Sequence, residues 1–242
     1  MGLIEVENLW KSFDGHPILR GVNLSVQQGT TTVILGRSGA GKSVLIKCVI
    51  GLLAPDAGSS RVDGQDVAQM EPARLNTLRR RMGFVFQSSA LYDSMSVHDN
   101  LAFPLQRTTT LPEEEIERRV VEELERVGLK KVLRSMPAEL SGGMRKRIGL
   151  ARALITRPEF MLYDEPTTGL DPITAGEISS LIRELEEQFR TTSIAVTHDV
   201  ACARTIADTV AVLNDGVISF EGSIEALQQA SDPLVKKFFV WR

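Results

Sequence analysis

The sequence predicts an α/β fold: a mostly parallel sheet packed with helices, accompanied by an antiparallel β region and interrupted by a helical insertion. Three observations predict it. Residues 30–35 (TTTVIL), 160–163 (FMLY) and 193–196 (SIAV) are short, near-continuous apolar or β-branched runs, the pattern of strands buried on both faces. The first of these passes through a Gly-rich turn into a helix starting at Ser43, and strand, loop, helix is the opening of an α/β unit. Between the first run and the second lies a stretch of different character, roughly residues 88–158, whose apolar spacing is helical.

The remaining elements follow in chain order. Residues 3–9 and 22–26 alternate and are β-branched, which predicts two strands of the antiparallel region, with Asp14-Gly15 as a tight turn between them. In the insertion, Thr110 to Glu113 has the spacing of a capping box with Pro112 in the first turn. Ile116, Val120, Val121, Leu124 and Val127 then recur at helical spacing until Gly128 stops them. The acidic run at 113–115 suits a helix N-terminus and a solvated face. The expected division is one domain, with residues 1–87 and 159–222 forming the core and the β region, 88–158 a helical subdomain and 223–242 a helical tail.

Composition narrows the class. Of 242 residues, 43% are hydrophobic and 24% charged, with 28 Lys and Arg against 31 Asp and Glu, which excludes disordered and collagen-like chains. No stretch reaches the roughly 18 apolar residues of a membrane span, and the N-terminus lacks the basic start and apolar centre of a signal peptide. A cytoplasmic protein is expected. Cys48 and Cys202 stand far apart without a CxxC partner, as buried reduced thiols do. The net charge of −3 offers no general attraction for nucleic acid.

The strongest motif is Gly36-Arg37-Ser38-Gly39-Ala40-Gly41-Lys42-Ser43, which fits G-x-x-x-x-G-K-[ST] at every fixed position, with Val44 continuing into the helix. Its glycines let backbone N–H groups converge on phosphate oxygens at a helix N-terminus, while Lys42 reaches the β- and γ-phosphates and the Ser43 hydroxyl ligates Mg²⁺. The fold expected is therefore a P-loop (RecA-like) core, and ATP with Mg²⁺ is the expected ligand. A second metal carboxylate is needed at the end of a neighbouring buried strand, and Asp164 after FMLY supplies it. Glu165 beside it is placed to polarise an attacking water. His198, just beyond SIAV, is placed to contact a γ-phosphate or that water, whereas His16 and His98 read as structural.

With these residues in place, the whole chain resembles the ATP-binding subunits of ATP-binding-cassette (ABC) transporters. Leu140-Ser141-Gly142-Gly143-Met144 is similar to the family signature LSGGQ, in which Ser141 caps a helix whose N-terminal amides form a second anion site. The resemblance implies a head-to-tail homodimer, each composite site taking Ser141, Gly142 and Gly143 from the partner chain. It also implies that Gln87 is the Q-loop glutamine at the metal and the water, Asp164 the metal aspartate, Glu165 the catalytic base and His198 the switch histidine. Asp171 in Gly169-Leu170-Asp171 would be the loop residue at the dimer interface, and Phe13 the aromatic that stacks on adenine.

Met144 departs from the family pattern, a thioether standing where an amide is usual. The combination SGGMRKRIGLARAL, with residues 87–92 and 100–105 and with Asp232-Pro233-Leu234-Val235 and Phe238, looks most like the ATPases of MCE-type lipid transporters, the bacterial Mla phospholipid system among them. That implies phospholipid transport through a separate integral-membrane permease, an MCE-domain substrate-binding protein, a small accessory subunit, and a peripheral place on the cytoplasmic face of the inner membrane. An importer ATPase for a small polar substrate such as an amino acid is the alternative. A metabolic P-loop kinase would need no signature helix. A translation-type cassette protein usually carries two cassettes, and a repair-type one a long insert, and neither is present. Apolar and aromatic residues between Phe84 and Phe103 suggest that the permease docks on residues 87–104.

Overall fold

The computed structural model describes residues 3–230, so the motif at 232–235, Phe238 and the end of the expected tail lie outside the described residues. The first half of the chain forms β1 (Ile4–Phe13), β2 (His16–Val26), β3 (Thr31–Leu35), α1 (Lys42–Val49), β4 (Ala57–Val62), β5 (Gln65–Asp66), α2 (Pro72–Arg80), β6 (Met82–Val85) and α3 (Val97–Thr108). The second half forms α4 (Glu113–Arg126), α5 (Gly142–Leu154), β7 (Phe160–Asp164), α6 (Pro172–Phe189), β8 (Thr192–Thr197), α7 (Val200–Ile206), β9 (Thr209–Asn214), β10 (Val217–Gly222) and α8 (Ile224–Gln229). The α/β class and the helix from the P-loop are as expected, the helix starting one residue earlier, at Lys42.

Strands β2-β1-β4-β5 make an antiparallel sheet, and β10-β9-β3-β8-β7-β6 a second sheet that is parallel apart from its β10 edge. Asp14 (φ 49°) and Gly15 (φ 77°) turn the β1–β2 hairpin, both in the left-handed region that matches the twist of paired strands. Both strands outrun the expected 3–9 and 22–26. The pairing shifts register between Val6 and Leu9, around Asn8 at φ 44°, so the period-2 pattern slips phase there and a strict alternation ends too early.

The parallel sheet is apolar on both faces because two cores share it. Ile34, Phe160, Leu162, Ile194 and Val196 face one core, which they build with α1 and side chains of the antiparallel sheet. Their neighbours Val33, Leu35, Met161, Tyr163 and Ala195 face the other, built with α3, α4, α5 and α6. Successive residues of one strand point to opposite faces, so each strand must be hydrophobic throughout.

Between β6 and β7 the chain is helical. Ser96 caps α3, accepting the Asp99 N–H, and Ile116, Val120 and Leu124 are the buried ridge of α4, which ends at Gly128 with φ 72°. The expected Thr110 capping box does not form: α4 starts at Glu113 with Pro112 as its N-cap and no side-chain cap. The proline starts the helix after Thr110 and offers no side-chain acceptor, so Glu115 and Ile116 N–H bond to its carbonyl and the charges of Glu113, Glu114 and Glu115 complement the first turn. Glu115 pairs with Arg118 and Arg119, as a solvated charged face does. His98 Nε2 lies 2.6 Å from Glu117 and ties α3 to α4, and His16 Nδ1 lies 3.0 Å from the Asp14 carbonyl in the hairpin, so both histidines serve structure. Cys48 and Cys202 are buried and unpaired. Among the described residues no helix is long and apolar enough to cross a membrane.

Glu186 of α6 lies under the parallel sheet, accepting the Thr31 hydroxyl with the fully buried Tyr163 beside it. Burial pushes its carboxyl from 4.5 up to about 7, against the hydroxyls of Thr31, Ser193 and Tyr163. The folded chain therefore holds a proton that the unfolded chain releases near 4.5, and this group's contribution to stability declines as pH rises between about 4.5 and 7. Glu186→Gln mimics the protonated form and should flatten that decline. Thermal unfolding at pH 5 and pH 8 checks it: the variant should gain Tm relative to wild type at pH 8 more than at pH 5.

Candidate active site

The P-loop leaves β3 at Gly36, whose N–H bonds to the Thr197 carbonyl at 3.2 Å. Arg37, Ser38 and Gly39 are exposed, and Ala40 N–H closes the turn on the Arg37 carbonyl at 3.1 Å. Gly41 has φ 99°, and a Cβ there would also press within about 3.1 Å of Ile18 and Leu19, so only glycine fits before α1. The Lys42 ammonium curls back to the Gly36 and Arg37 carbonyls at 2.8 and 3.2 Å. The Val44 side chain packs on the core beneath the antiparallel sheet, leaving its backbone as the part near the loop.

Three parallel strands bring the other groups to this level. Asp164 ends β7, and the Ser43 hydroxyl donates to its Oδ1 at 2.9 Å. Glu165 follows with φ 50°, a left-handed conformation unusual for a glutamate. Its N–H bonds to the Val196 carbonyl at 2.9 Å. Its Oε1 lies 3.1 Å from Lys42 Nζ, while Oε2 lies 2.8 Å from His198 Nδ1 and accepts the Thr168 and Thr197 hydroxyls at 3.2 and 3.3 Å. Burial favours the neutral acid, but Lys42 first and His198 second outweigh it and hold the Glu165 carboxyl below its ordinary range.

The residues around this cluster are fixed by caps. Asp199 caps α7 and donates its own N–H to the Thr197 hydroxyl at 3.0 Å, which aims the half-exposed His198 ring at Glu165. Gln87, two residues beyond β6, has an exposed side chain, and its carbonyl accepts Lys146 Nζ at 2.6 Å. Ser141 caps α5 as expected, accepting the Met144 N–H at 3.2 Å, and Gly142 and Gly143 lie beside Leu170 and Thr174. The Asp171 carboxylate is engaged as the cap of α6, accepting Ile173 N–H, Thr174 N–H and the Thr174 hydroxyl. Phe13 ends β1 with its ring 43% exposed and Lys11 Nζ 5.5 Å over its centroid.

The structure thus brings Lys42, Ser43, Asp164, Glu165 and His198 into one cluster, Lys42 and His198 bonded to Glu165 and Ser43 to the adjacent Asp164, with Gln87 one lysine away. Phe13, Ser141, Gly142, Gly143 and Asp171 stand outside it. Sequence reasoning missed Thr168, Thr197 and above all Lys146, a 5% exposed lysine whose Nζ contacts the carbonyls of both Gln87 and Glu165. Burial draws its ammonium below the ordinary range, and Glu165 and Asp164 pull it back up. The available signal was helical phase: Lys146 lies four residues before Leu150, on the buried side of α5.

Comparison with known proteins locates this arrangement. The ABC transporter family model matches residues 19–168. The chain is 44% identical, over 98% of its length and 89% of the relative, to the intermembrane phospholipid transport system ATP-binding protein MlaF of Haemophilus influenzae. It is 43% identical to the probable ribonucleotide transport ATP-binding protein mkl of Mycobacterium leprae, over 97% of this chain and 68% of that one. Among solved structures, a dimeric ATP-binding cassette in a post-hydrolysis state with ADP and phosphate superposes with a TM-score of 0.83 at 30% identity, covering 91% of this chain and 98% of that one. The cbiO1 protein of Clostridium perfringens, described as part of the transporter complex cbiONQ, superposes with a TM-score of 0.87 at 30% identity, over 99% of this chain and 96% of that one.

Met144 is half-buried and packs against the core that the helices share with the parallel sheet, while its N–H serves the Ser141 cap. A half-wet site accepts an amide without stranding it, so Met144→Gln should fold and keep ATPase activity within a few-fold of wild type. Steady-state hydrolysis alongside thermal unfolding checks this.

Proposed function

The chain belongs to the ABC transporter family, and from that premise we propose that its ATP hydrolysis drives phospholipid transport through a separate membrane permease. The coarser part follows from membership: it is the ATPase subunit of an ABC transporter, binding ATP and coupling its hydrolysis to transport. The lipid assignment rests on 44% identity to a phospholipid-transport ATPase, together with the Met-bearing signature and the segments at 87–92 and 100–105. The 43% identity to a probable ribonucleotide transport ATPase supports a second reading, a polar-substrate transporter. Purifying the chain with its membrane partner and identifying co-purifying small molecules by mass spectrometry separates them. Phospholipid and an MCE-domain subunit support the first, whereas ribonucleotides or amino acids support the second.

Each residue has a task in the proposed mechanism. The P-loop N–H groups and the start of α1 bind phosphate oxygens. Lys42 is already oriented by two loop carbonyls, so an incoming phosphate competes with Glu165 for its ammonium and frees the carboxylate. The Ser43 hydroxyl and Asp164 carboxylate, 2.9 Å apart, are a hard-oxygen pair suited to Mg²⁺, with Gln87 as the third ligand by the family pattern. Bound there, the ion supplies positive charge to the phosphates. Glu165 orients water and takes its proton as the oxygen attacks the γ-phosphorus and the bond to the β-phosphate oxygen breaks, releasing ADP and phosphate. His198 holds Glu165 Oε2 on the opposite side.

The working assembly is a head-to-tail homodimer, a reading supported by the dimeric cassette that this chain resembles. Ser141, Gly142 and Gly143 then close over the ATP of the other protomer, Asp171 stabilises the loop at that interface through its cap, and Phe13 offers a ring to adenine. The permease, an MCE-domain protein and a small accessory subunit complete the complex on the cytoplasmic face of the inner membrane. Within the expected docking segment Leu101 is fully buried core, whereas Tyr92 is 47% exposed with its ring edge-on to Phe103; just before the segment, Phe86 is 41% exposed and tilted against Phe84. These two rings are the anchors for the permease.

Glu165→Gln should lower turnover by about 10²-fold or more while ATP still binds, because an amide keeps the shape but takes no proton. Lys42→Ala should weaken ATP binding itself by about tenfold or more through loss of a charge-assisted contact. Nucleotide titration and single-turnover hydrolysis of both variants check the distinction. Phe86→Glu and Tyr92→Asp should abolish co-purification with the permease while the chain stays folded and binds ATP. A complex that survives both would move the docking surface elsewhere.

A further inference from the structure

The signature helix grips the segment after β6 along one line of residues. Lys146, Gly149 and Arg152 recur every three positions on α5. Arg152 donates to the Ser89 and Ala90 carbonyls at 2.8 and 2.7 Å, holding two residues that both have left-handed backbones, φ 62° and 45°. Gly149 lets the helix come close, since a Cβ there would lie 3.2 Å from Ser89 Cβ. Lys146 completes the grip on the Gln87 carbonyl at 2.6 Å. It alone of the three reaches further, to the Glu165 carbonyl at 3.3 Å.

The Glu165 carbonyl belongs to a residue in a left-handed conformation that its Cβ disfavours, so partners on its backbone determine where its carboxylate points. Thr168 N–H at 3.3 Å is the other donor to the same carbonyl. Lys42 and His198 hold the carboxylate from the far side. A lysine nineteen positions before Glu165 thus links three parts: the signature helix, the segment beginning at Gln87, and the backbone of Glu165.

We propose that Lys146 is a positioning residue for hydrolysis, transmitting the placement of the signature helix and of residues 87–90 to the carboxylate of Glu165. This rests on the reading of Glu165 as the base. The Lys146 ammonium is engaged by the carbonyls of Gln87 and Glu165, and so sets the geometry of a group that does the chemistry. A displacement of Gln87 by a docked permease or by the partner's ATP alters the hydrogen bonding of Lys146 and so reaches Glu165 without moving β7.

The test uses the full chain in complex with its permease and MgATP as the probe. Lys146→Met keeps length and apolar stem but removes the donors. It should lower kcat at least tenfold, with KM for ATP and ATP affinity within twofold of wild type and Tm within a few degrees. Lys146→Gln restores an N–H donor and should recover at least a third of kcat. The proposal is overturned if Lys146→Met keeps kcat within threefold of wild type, if Gln and Met lose the same amount, or if the loss tracks Tm or ATP affinity. Glu165→Gln is measured in parallel. A variant at 165 that still turns over defeats the reading of the base, whereas an inactive one beside an active Lys146→Met defeats the positioning role alone.

Discussion

The site depends on the parallel register of three strands. Leu35 of β3 pairs with Thr197 of β8, and Val196 of β8 pairs with Asp164 of β7. The residues that follow these pairs, Gly36, His198 and Glu165, therefore emerge at one level of the sheet. Parallel strands end together at the carboxyl edge, which is where a crevice opens in such sheets. Moving β7 by one residue would exchange the faces of Leu162 and Tyr163 and carry the carboxylates away from Ser43 and Lys42. Because both faces are buried in separate cores, that register is fixed by packing on two sides.

Within that frame the electrostatics centre on a buried carboxylate. Glu165 is 7% exposed, carries a negative charge and adopts a strained backbone, three features that each oppose folding alone. They persist because each has a partner: Lys42 and His198 for the charge, two hydroxyls for the remaining lone pairs, and Val196, Thr168 and Lys146 for the backbone. Lys42 is likewise compensated by two loop carbonyls besides the carboxylate. A group poised in this way reacts to a newly arrived anion by changing partners, which needs no unfolding and no rearrangement of the sheet.

The helical subdomain joins the same edge through α5. Its N-terminus, capped by Ser141, lies beside Leu170 and Thr174, and its middle holds residues 87–90. In the proposed function, nucleotide chemistry and permease docking sit at opposite ends of a short polar path. Phe86 and Tyr92 flank the gripped segment on the outside, while Lys146 leads from its inside to Glu165. Under the proposed role of Lys146, this is the path by which occupancy of the surface reaches the site.

The sequence by itself determined the fold class, the loop from Gly36 to Ser43, the carboxylates at 164 and 165, His198 and the Ser141 cap. Each of these is a local pattern: a buried strand is written in consecutive apolar residues, and a cap or phosphate loop in a few positions at fixed spacing. It misjudged the hairpin strands, where a bulge at Asn8 breaks the alternation, and the start of α4, where Pro112 overrides the capping box. Only the tertiary structure decided that Lys42 pairs with Glu165, that Leu101 is core while Tyr92 is surface, and that Lys146 bridges Gln87 and Glu165. Those contacts join residues from separate strands and helices, or depend on which face of a helix meets the core, and both are set by the packing of the two cores around the shared sheet.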